Sequence, residues 1–319
     1  MKISGIGGQA VMEGIMMKSG DDYAVAVRKE NGEIEVKKDV YALFSKKSKI
    51  LSLPFIRGVF NFIDSMVLGI STLTWSASFF EEEEEDQQSK PGFVEKHFSK
   101  ETAEKFLMSF TVFVSIAMAV LIFMLLPAFI AGLLQKVIAS ASIIAVLEGI
   151  IRLAIFLLYV VLISRMEEIR RVFMYHGAEH KCINCIEHGL PLTIKNVRES
   201  SRQHKRCGTS FLLLVMVISI ILFMFIRTDT LWMRLVTRVL LVPVIAGISY
   251  EILQLAGRSD GTLINLVSAP GLCLQRLTTR EPDDSMIEVA IKAVETVFDW
   301  KTWQQANGMY QPELEEPYE

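Results

Sequence analysis

The chain has 319 residues, 51% of them hydrophobic and 22% charged, with 33 Lys and Arg set against 36 Asp and Glu. A mean hydropathy of +0.37 argues against an ordinary soluble protein. A formal net charge of -3 gives no basis for a nucleic-acid partner.

Residues 1–50 read as a cytoplasmic N-terminal region. "YAVAVRKENGEIEV" alternates on both sides of Asn31-Gly32, the dipeptide that supplies positive φ in a two-residue turn, so a small β-hairpin is expected. The preceding "MKISGIGGQAVMEG" lacks the apolar core of a secretory leader, and none is expected. In residues 51–80, Arg57, Asn61 and Asp64 recur at helical spacing on an otherwise apolar stretch. This predicts an amphipathic helix at the membrane interface. A fifth crossing is the alternative, disfavoured because a polar stripe in lipid is costly. Residues 81–100, with "EEEEEDQQSKPG", read as a solvated acidic linker.

The membrane domain is expected over residues 101–280. Four apolar runs approach the roughly 20 residues that a helix needs to cross a hydrocarbon core. They are 107–134, broken by Pro127; 142–164, carrying Glu148 and Arg152; 210–226; and 235–256, after an "RTDT" turn. The carbonyl that Pro127 frees needs a donor from a neighbouring helix or a local kink. Glu148 and Arg152 have the i,i+4 order of an ion pair within one helix. Between the second and third runs, the loop 165–209 is rich in Lys and Arg, which places it in the cytoplasm by the positive-inside rule. Four spans return both termini to that side. In residues 281–319, Ser285 and Glu288 are spaced for a capping box ahead of an amphipathic helix, and "YQPELEEPYE" reads as a loose tail.

The loop contains "YHGAEHKCINC". His176 and His180 project about 40° apart on a helix and can grip one ion. With Glu179 they make the H-x-x-E-H spacing of inverted zincins, where the glutamate takes a proton from water acidified by zinc. A third ligand must come from elsewhere, the candidates being His204, Cys207 and Glu251. A competing site, Cys182-x-x-Cys185 with His204-x-x-Cys207, fits a closed structural zinc ribbon. A third reading needs no metal, because buried cysteines are often small hydrophobes. Glu251 has a bland reading too, as a partner of Arg258 or Tyr250. His188 reads as a turn residue.

"GGQAVMEGIMMK", "RRVFMYHGAEHKCINCIE", "HKRCGTSF", "SYEIL" and "PGLCLQRLTTREPDD" together resemble the YqhQ-like family of bacterial membrane proteins, of unknown function and described as predicted metal-dependent enzymes. The resemblance covers nearly the whole chain. It implies a His-based site with His204 or Cys207 nearby, since the family's pattern does not require a cysteine at position 182. Glu13, in the matching "VMEG" block, becomes a candidate ligand or proton-transfer group, and Gly5, Gly7 and Gly8 a weak candidate anion nest.

The fold expected is therefore mainly α: a polytopic protein of the bacterial inner membrane with four transmembrane helices, a small N-terminal β-hairpin and an amphipathic interfacial helix. The function expected is a metal-dependent hydrolase, with zinc held by His176, His180 and a third ligand, and with Glu179 as general base. Its substrate would be a lipid headgroup or membrane-proximal peptide, and Arg170, Arg171 and Lys181 could hold an anionic group. The alternative is a non-enzymatic scaffold or transporter-like protein with a structural zinc. Membrane lipids are the expected partners, and a second copy of the chain is an admissible one.

Overall fold

The computed structural model describes residues 2–46, 48–80, 100–138, 140–226, 231–258 and 261–311. The acidic run at 81–99, the "RTDT" turn and the tail from 312 lie outside them. The chain forms two compact units, one of residues 1–80, 160–218 and 230–319, the other of 81–159 and 219–229.

The first unit opens with four strands, β1 (Gly7–Val11), β2 (Gly14–Ser19), β3 (Asp22–Arg28) and β4 (Ile34–Val40), in an antiparallel sheet of that order. The expected hairpin is β3–β4, but its turn is longer than two residues. Lys29 N donates to the Glu33 carbonyl at 2.9 Å, closing a loop in which Gly32 takes φ 86°. Strand β2 shows no polar alternation because this sheet is covered on both faces there, while β1 is a short edge strand of sequence GGQAV. Ile15, Met17 and Ala26 face one core, while Val11, Met16, Val25 and Val27 face another.

Helix α1 (Ile56–Ala77) closes the second of these cores through Leu68. Ser76 Oγ accepts from Met12 N at 3.1 Å, and Gly69 leaves room for Gln9, whose amide a Cβ there would meet at 2.5 Å. The polar stripe on α1 is satisfied by protein. Asp64, 1% exposed, accepts from the Tyr41 hydroxyl and Phe44 N, and Asn61 donates to the Tyr250 hydroxyl at 2.7 Å.

In the second unit, α2 (Lys100–Val120) passes through a π turn at Leu121–Leu125 into α3 (Leu126–Leu134). Pro127 has no N–H, which frees the carbonyl of Phe123 four residues back. Arg152, on α4 (Ala141–Ile163), supplies the missing donor through Nε at 3.0 Å and pairs with Glu148 at 3.0 Å. Both expectations for these residues are met through one side chain, that of Arg152.

The remaining helices are α5 (Glu167–Glu187), α6 (Ile194–Glu199), α7 (Gly208–Phe225), α8 (Leu231–Arg258), α9 (Thr262–Thr278), α10 (Asp284–Val297) and α11 (Trp300–Ala306). The cap of α10 differs from the expected box. Asp283 accepts from Met286 N at 2.9 Å, while Glu288 pairs with Arg28. Among the described residues, five helices are long and apolar enough to cross a membrane, Ile56–Ala77, Ser109–Leu134, Ser142–Ile163, Gly208–Phe225 and Val236–Gly257, and they point to a membrane protein. Four are the expected runs; the fifth is the helix read as interfacial.

The first core joins the sheet to α5, α10 and α11, with Tyr175, Ile183, Ile186, Met286, Ile287 and Trp300 at its centre. The segment after α9 crosses α5 at Gly177, where Arg280 N donates to the Phe173 carbonyl at 2.8 Å. A Cβ on Gly177 would lie 2.0 Å from the Arg280 carbonyl oxygen. Gly177→Ala is therefore expected to lower stability by about 1–3 kcal/mol, the usual cost of overpacking. Thermal melts of the detergent-solubilised chain measure it; an unchanged midpoint would mean that the crossing yields freely.

Candidate metal centre

Helix α5 supplies most of the site, and its burial is unusual for its composition. Tyr175 and every residue from Gly177 to Glu187 are buried, among them Glu179, His180, Lys181, Asn184 and Glu187. Buried polar groups need hydrogen-bond partners, so these side chains constrain whatever packs against them. The donors among them, His180, Lys181 and Asn184, find backbone carbonyls of one segment. Lys181 Nζ donates to the Arg198 and Ser200 carbonyls at 2.8 Å. Asn184 Nδ2 donates to Ser201 and Gln203 carbonyls at 2.6 and 3.0 Å, and His180 Nδ1 to that of Arg202 at 2.6 Å. Residues 198–203 are thus strapped along α5.

The strap delivers Cys207, just ahead of α7, to the two histidines. His176, His180 and Cys207 each offer one ligand atom within 4.8 Å of the others, and among the described residues no other such group of three is present. The imidazoles lie 4.4 Å apart between ring centroids, and His176 Nε2 is 3.2 Å from Cys207 Sγ. His176 Nδ1 meets the Thr278 carbonyl at 2.9 Å. A carbonyl only accepts, so both histidines carry their proton on Nδ1 and present the Nε2 lone pair to the cluster. An N–H bound to a carbonyl is the arrangement that fixes the tautomer of a metal-ligating histidine. Cys207 Sγ also receives Thr209 N at 3.4 Å.

Glu179 lies on the adjoining stripe of α5, outside the ligand trio. Burial pushes its carboxyl above the usual carboxylate range, with His176 and a hydrogen bond from Gly8 N opposing. Gly8 is needed there, because a Cβ would come within 3.0 Å of Glu179 Cγ and 2.6 Å of the Met16 carbonyl.

His204 stands behind the trio. Its ring centroid is 5.7 Å from that of His180, but its Nε2 faces Glu187 at 3.6 Å. Gln275 of α9 holds its backbone, accepting from His204 N at 2.9 Å and donating to its carbonyl at 2.7 Å. Burial lowers the pKa of His204. Glu187, fully buried, accepts from Arg206 and from Ser4 N and Oγ, both at 2.8 Å. Although burial opposes ionisation, His204, Arg206 and Ser4 hold the Glu187 carboxyl down to about 2.

Several expectations need correcting. Glu251 is not brought to the histidines; Arg57 of α1 grips it through Nε at 2.8 Å and Nη2 at 2.6 Å. Tyr250, offered as its alternative partner, accepts from Asn61 instead. Glu13 is engaged by the Arg171 guanidinium at the β1–β2 turn, with φ 48°. This holds a non-glycine residue in the left-handed region and commits the carboxylate. The Cys182–Cys185 ribbon does not assemble. Both thiols sit in the apolar core, where burial pushes Cys182 well above its ordinary value and Cys185 up to about 12. Gly7 and Gly8 belong to β1, so no anion nest forms from that cluster. Arg171 and Lys181, expected to hold an anion, are bound to Glu13 and to carbonyls and Glu281 respectively. His188 is the C-cap of α5, as its turn reading implies. Residue spacing could not reveal Thr278 and Gln275; their one signal was the family-like block "PGLCLQRLTTREPDD".

The fold and the site together define a mainly helical protein with apolar helices of membrane-crossing length and a His-His-Cys cluster in the unit that carries the sheet. The chain belongs to the family described as "Protein of unknown function (DUF1385)", whose model matches residues 53–300. It is 35% identical over 290 residues, 90% of each chain, to the uncharacterized protein YqhQ of Bacillus subtilis (strain 168). That places it with the YqhQ-like proteins that its sequence blocks resemble. No solved structure matches it significantly.

Because Glu187 titrates at about 2 in the folded chain against an ordinary value of 4.5, its ionisation stabilises the fold above pH 4.5. The contribution, on the order of 2–3 kcal/mol, is lost as pH falls toward 2. Glu187→Gln is expected to melt earlier than the parent at neutral pH, with the gap closing as the pH falls below 4.5. A gap independent of pH would show that the charge is not what stabilises.

Proposed function

We propose that this protein is a metal-dependent hydrolase of the bacterial inner membrane, acting at the cytoplasmic face on a lipid headgroup or a membrane-proximal peptide. The observation that carries the reading is the convergence of His176, His180 and Cys207 within 4.8 Å. Two imidazoles and a thiol suit zinc, and three protein ligands leave a fourth position for substrate or water. When bound, such an ion supplies Lewis acidity and acidified water. The chain's own residues do the rest. The Thr278 and Arg202 carbonyls aim His176 and His180, the strap presents Cys207, and Glu179 holds the transferred proton beside His176.

Chain parity supports four crossings with both termini on the side of residues 165–209. The sheet, α5 and α10 share one core, so they lie on one side of any membrane. An even number of crossings must then separate β4 from α5, and α5 from α10. Helices α2–α3 and α4 satisfy the first condition and α7 and α8 the second, provided that α1 does not cross. The packing of α1 against the sheet through Leu68 and Ser76 fits that condition. The basic loop then favours the cytoplasm.

The burial of His180 and Cys207, 1% and 7% exposed, favours a second reading in which the same ligands clip the fold of a non-enzymatic scaffold. One variant separates the two. Glu179→Gln should keep its metal, measured by mass spectrometry on the purified chain, while failing to complement a deletion strain. His180→Ala should lose the metal by tenfold or more. Full complementation by Glu179→Gln would remove the general base and leave the scaffold reading.

A further inference from the structure

Helix α9 carries two faces with opposite duties. Its inner face builds the site. Gln275 holds the backbone of His204, Thr278 offers the carbonyl that orients His176, and Leu272 accepts from Gln203 Nε2 at 3.0 Å. Gly271 lets the helix meet the first turn of α7, where a Cβ would come within 2.6 Å of Ser210 Oγ. The outer face follows the helical repeat through Thr262, Leu266, Ala269, Pro270, Cys273 and Arg276, all exposed. Leu266 is 70% exposed and neighbouring Val267 47%. Exposed Asn265 borders this face and accepts from Lys205 Nζ at 2.9 Å; beyond it, from Leu266 to Cys273, a helix fixed on one side by a polar network presents an apolar face on the other.

Its place in the chain says what covers that face. Only residues 259–261 lie between the end of α8 and the start of α9. The apolar stretch Val236–Gly257 of α8 ends just before them. The first residues of α9 therefore stay within about 14 Å of the end of α8, since four Cα–Cα steps of an extended chain reach no further. At the other end, exposed Arg276 supplies a cation of the kind that anionic headgroups attract. We propose that α9 is an interfacial helix whose Leu266–Cys273 face lies in the acyl-chain boundary of the bilayer, setting the His176–His180–Cys207 cluster at headgroup depth. The proposal rests on reading α8 as a span, and it deepens the functional reading by naming the lipid surface as what α9 docks on.

Cys273 is a native reporter, exposed on this face while Cys182, Cys185 and Cys207 are buried. The full chain would be labelled at Cys273 with bimane and reconstituted into vesicles of phosphatidylethanolamine and phosphatidylglycerol. Quenching by acyl-chain-brominated lipid is then compared with quenching by aqueous iodide. Two controls carry Cys273→Ala, which also reports background labelling: Val239→Cys, on an exposed position of α8, and Glu30→Cys, at the tip of the β3–β4 loop. The expected result is bromolipid quenching at Cys273 comparable to that at Val239→Cys, with iodide quenching severalfold below that at Glu30→Cys. Iodide quenching at Cys273 alongside lipid quenching at Val239→Cys would overturn the role of α9 and leave the span standing. Iodide quenching at both would overturn both. Protection of Cys273 from both quenchers would overturn the proposal in favour of a protein surface, such as a second copy. None of these outcomes alters metal content, which tests the functional reading separately.

Discussion

The unsatisfied donors of a buried polar helix are the constraint on which the rest of the structure depends. Helix α5 takes Lys181, Asn184 and His180 into the interior, where each must find acceptors, and the carbonyls of residues 198–203 are the acceptors found. Five backbone groups, one at the end of α6 and four in the irregular segment after it, are thereby fixed to one helix face. Leaving one such group without a partner costs about 1–3 kcal/mol, so the strap is held at several points and not by a single contact. Its outcome is chemical. Cys207 arrives next to the His176 and His180 rings, which that segment and α9 have already oriented.

The same logic divides the carboxylates by task. Glu187 is fully buried yet ionised, because Arg206, Ser4 and His204 surround it, and it ties the N-terminal segment to the base of the strap. Glu179 has no such cation beside it, and burial raises its pKa against only Gly8 N and His176. Glu13 and Glu251 are each gripped by an arginine, Arg171 and Arg57, and serve as joints between elements. Four acidic residues are thus separated by their surroundings.

Much of the architecture was legible in the chain because it depends on local periodicity. The four apolar runs, the Glu148–Arg152 pair and the helix carrying H-x-x-E-H are properties of one element each. The limits appear where partners come from different elements. Spacing offered His204, Cys207 and Glu251 equally as a third ligand, and only tertiary packing selects Cys207. Cys182 and Cys185 have a metal-binding interval, but α5 turns them into the apolar core. Strand β2 lacks alternation because both faces of the sheet are covered there, and Asp283, not Ser285, caps α10 because its backbone is extended where the helix begins. Thr278 acts through a main-chain carbonyl, which no residue type announces.

The central claim is that one thiolate and two imidazoles share a divalent ion, and cobalt substitution tests it most directly. A cobalt-loaded chain is expected to show sulfur-to-metal charge-transfer absorption that Cys207→Ser abolishes and that Cys182→Ser and Cys185→Ser leave intact. Absorption that survives Cys207→Ser, or that disappears with Cys182 or Cys185, would contradict the site.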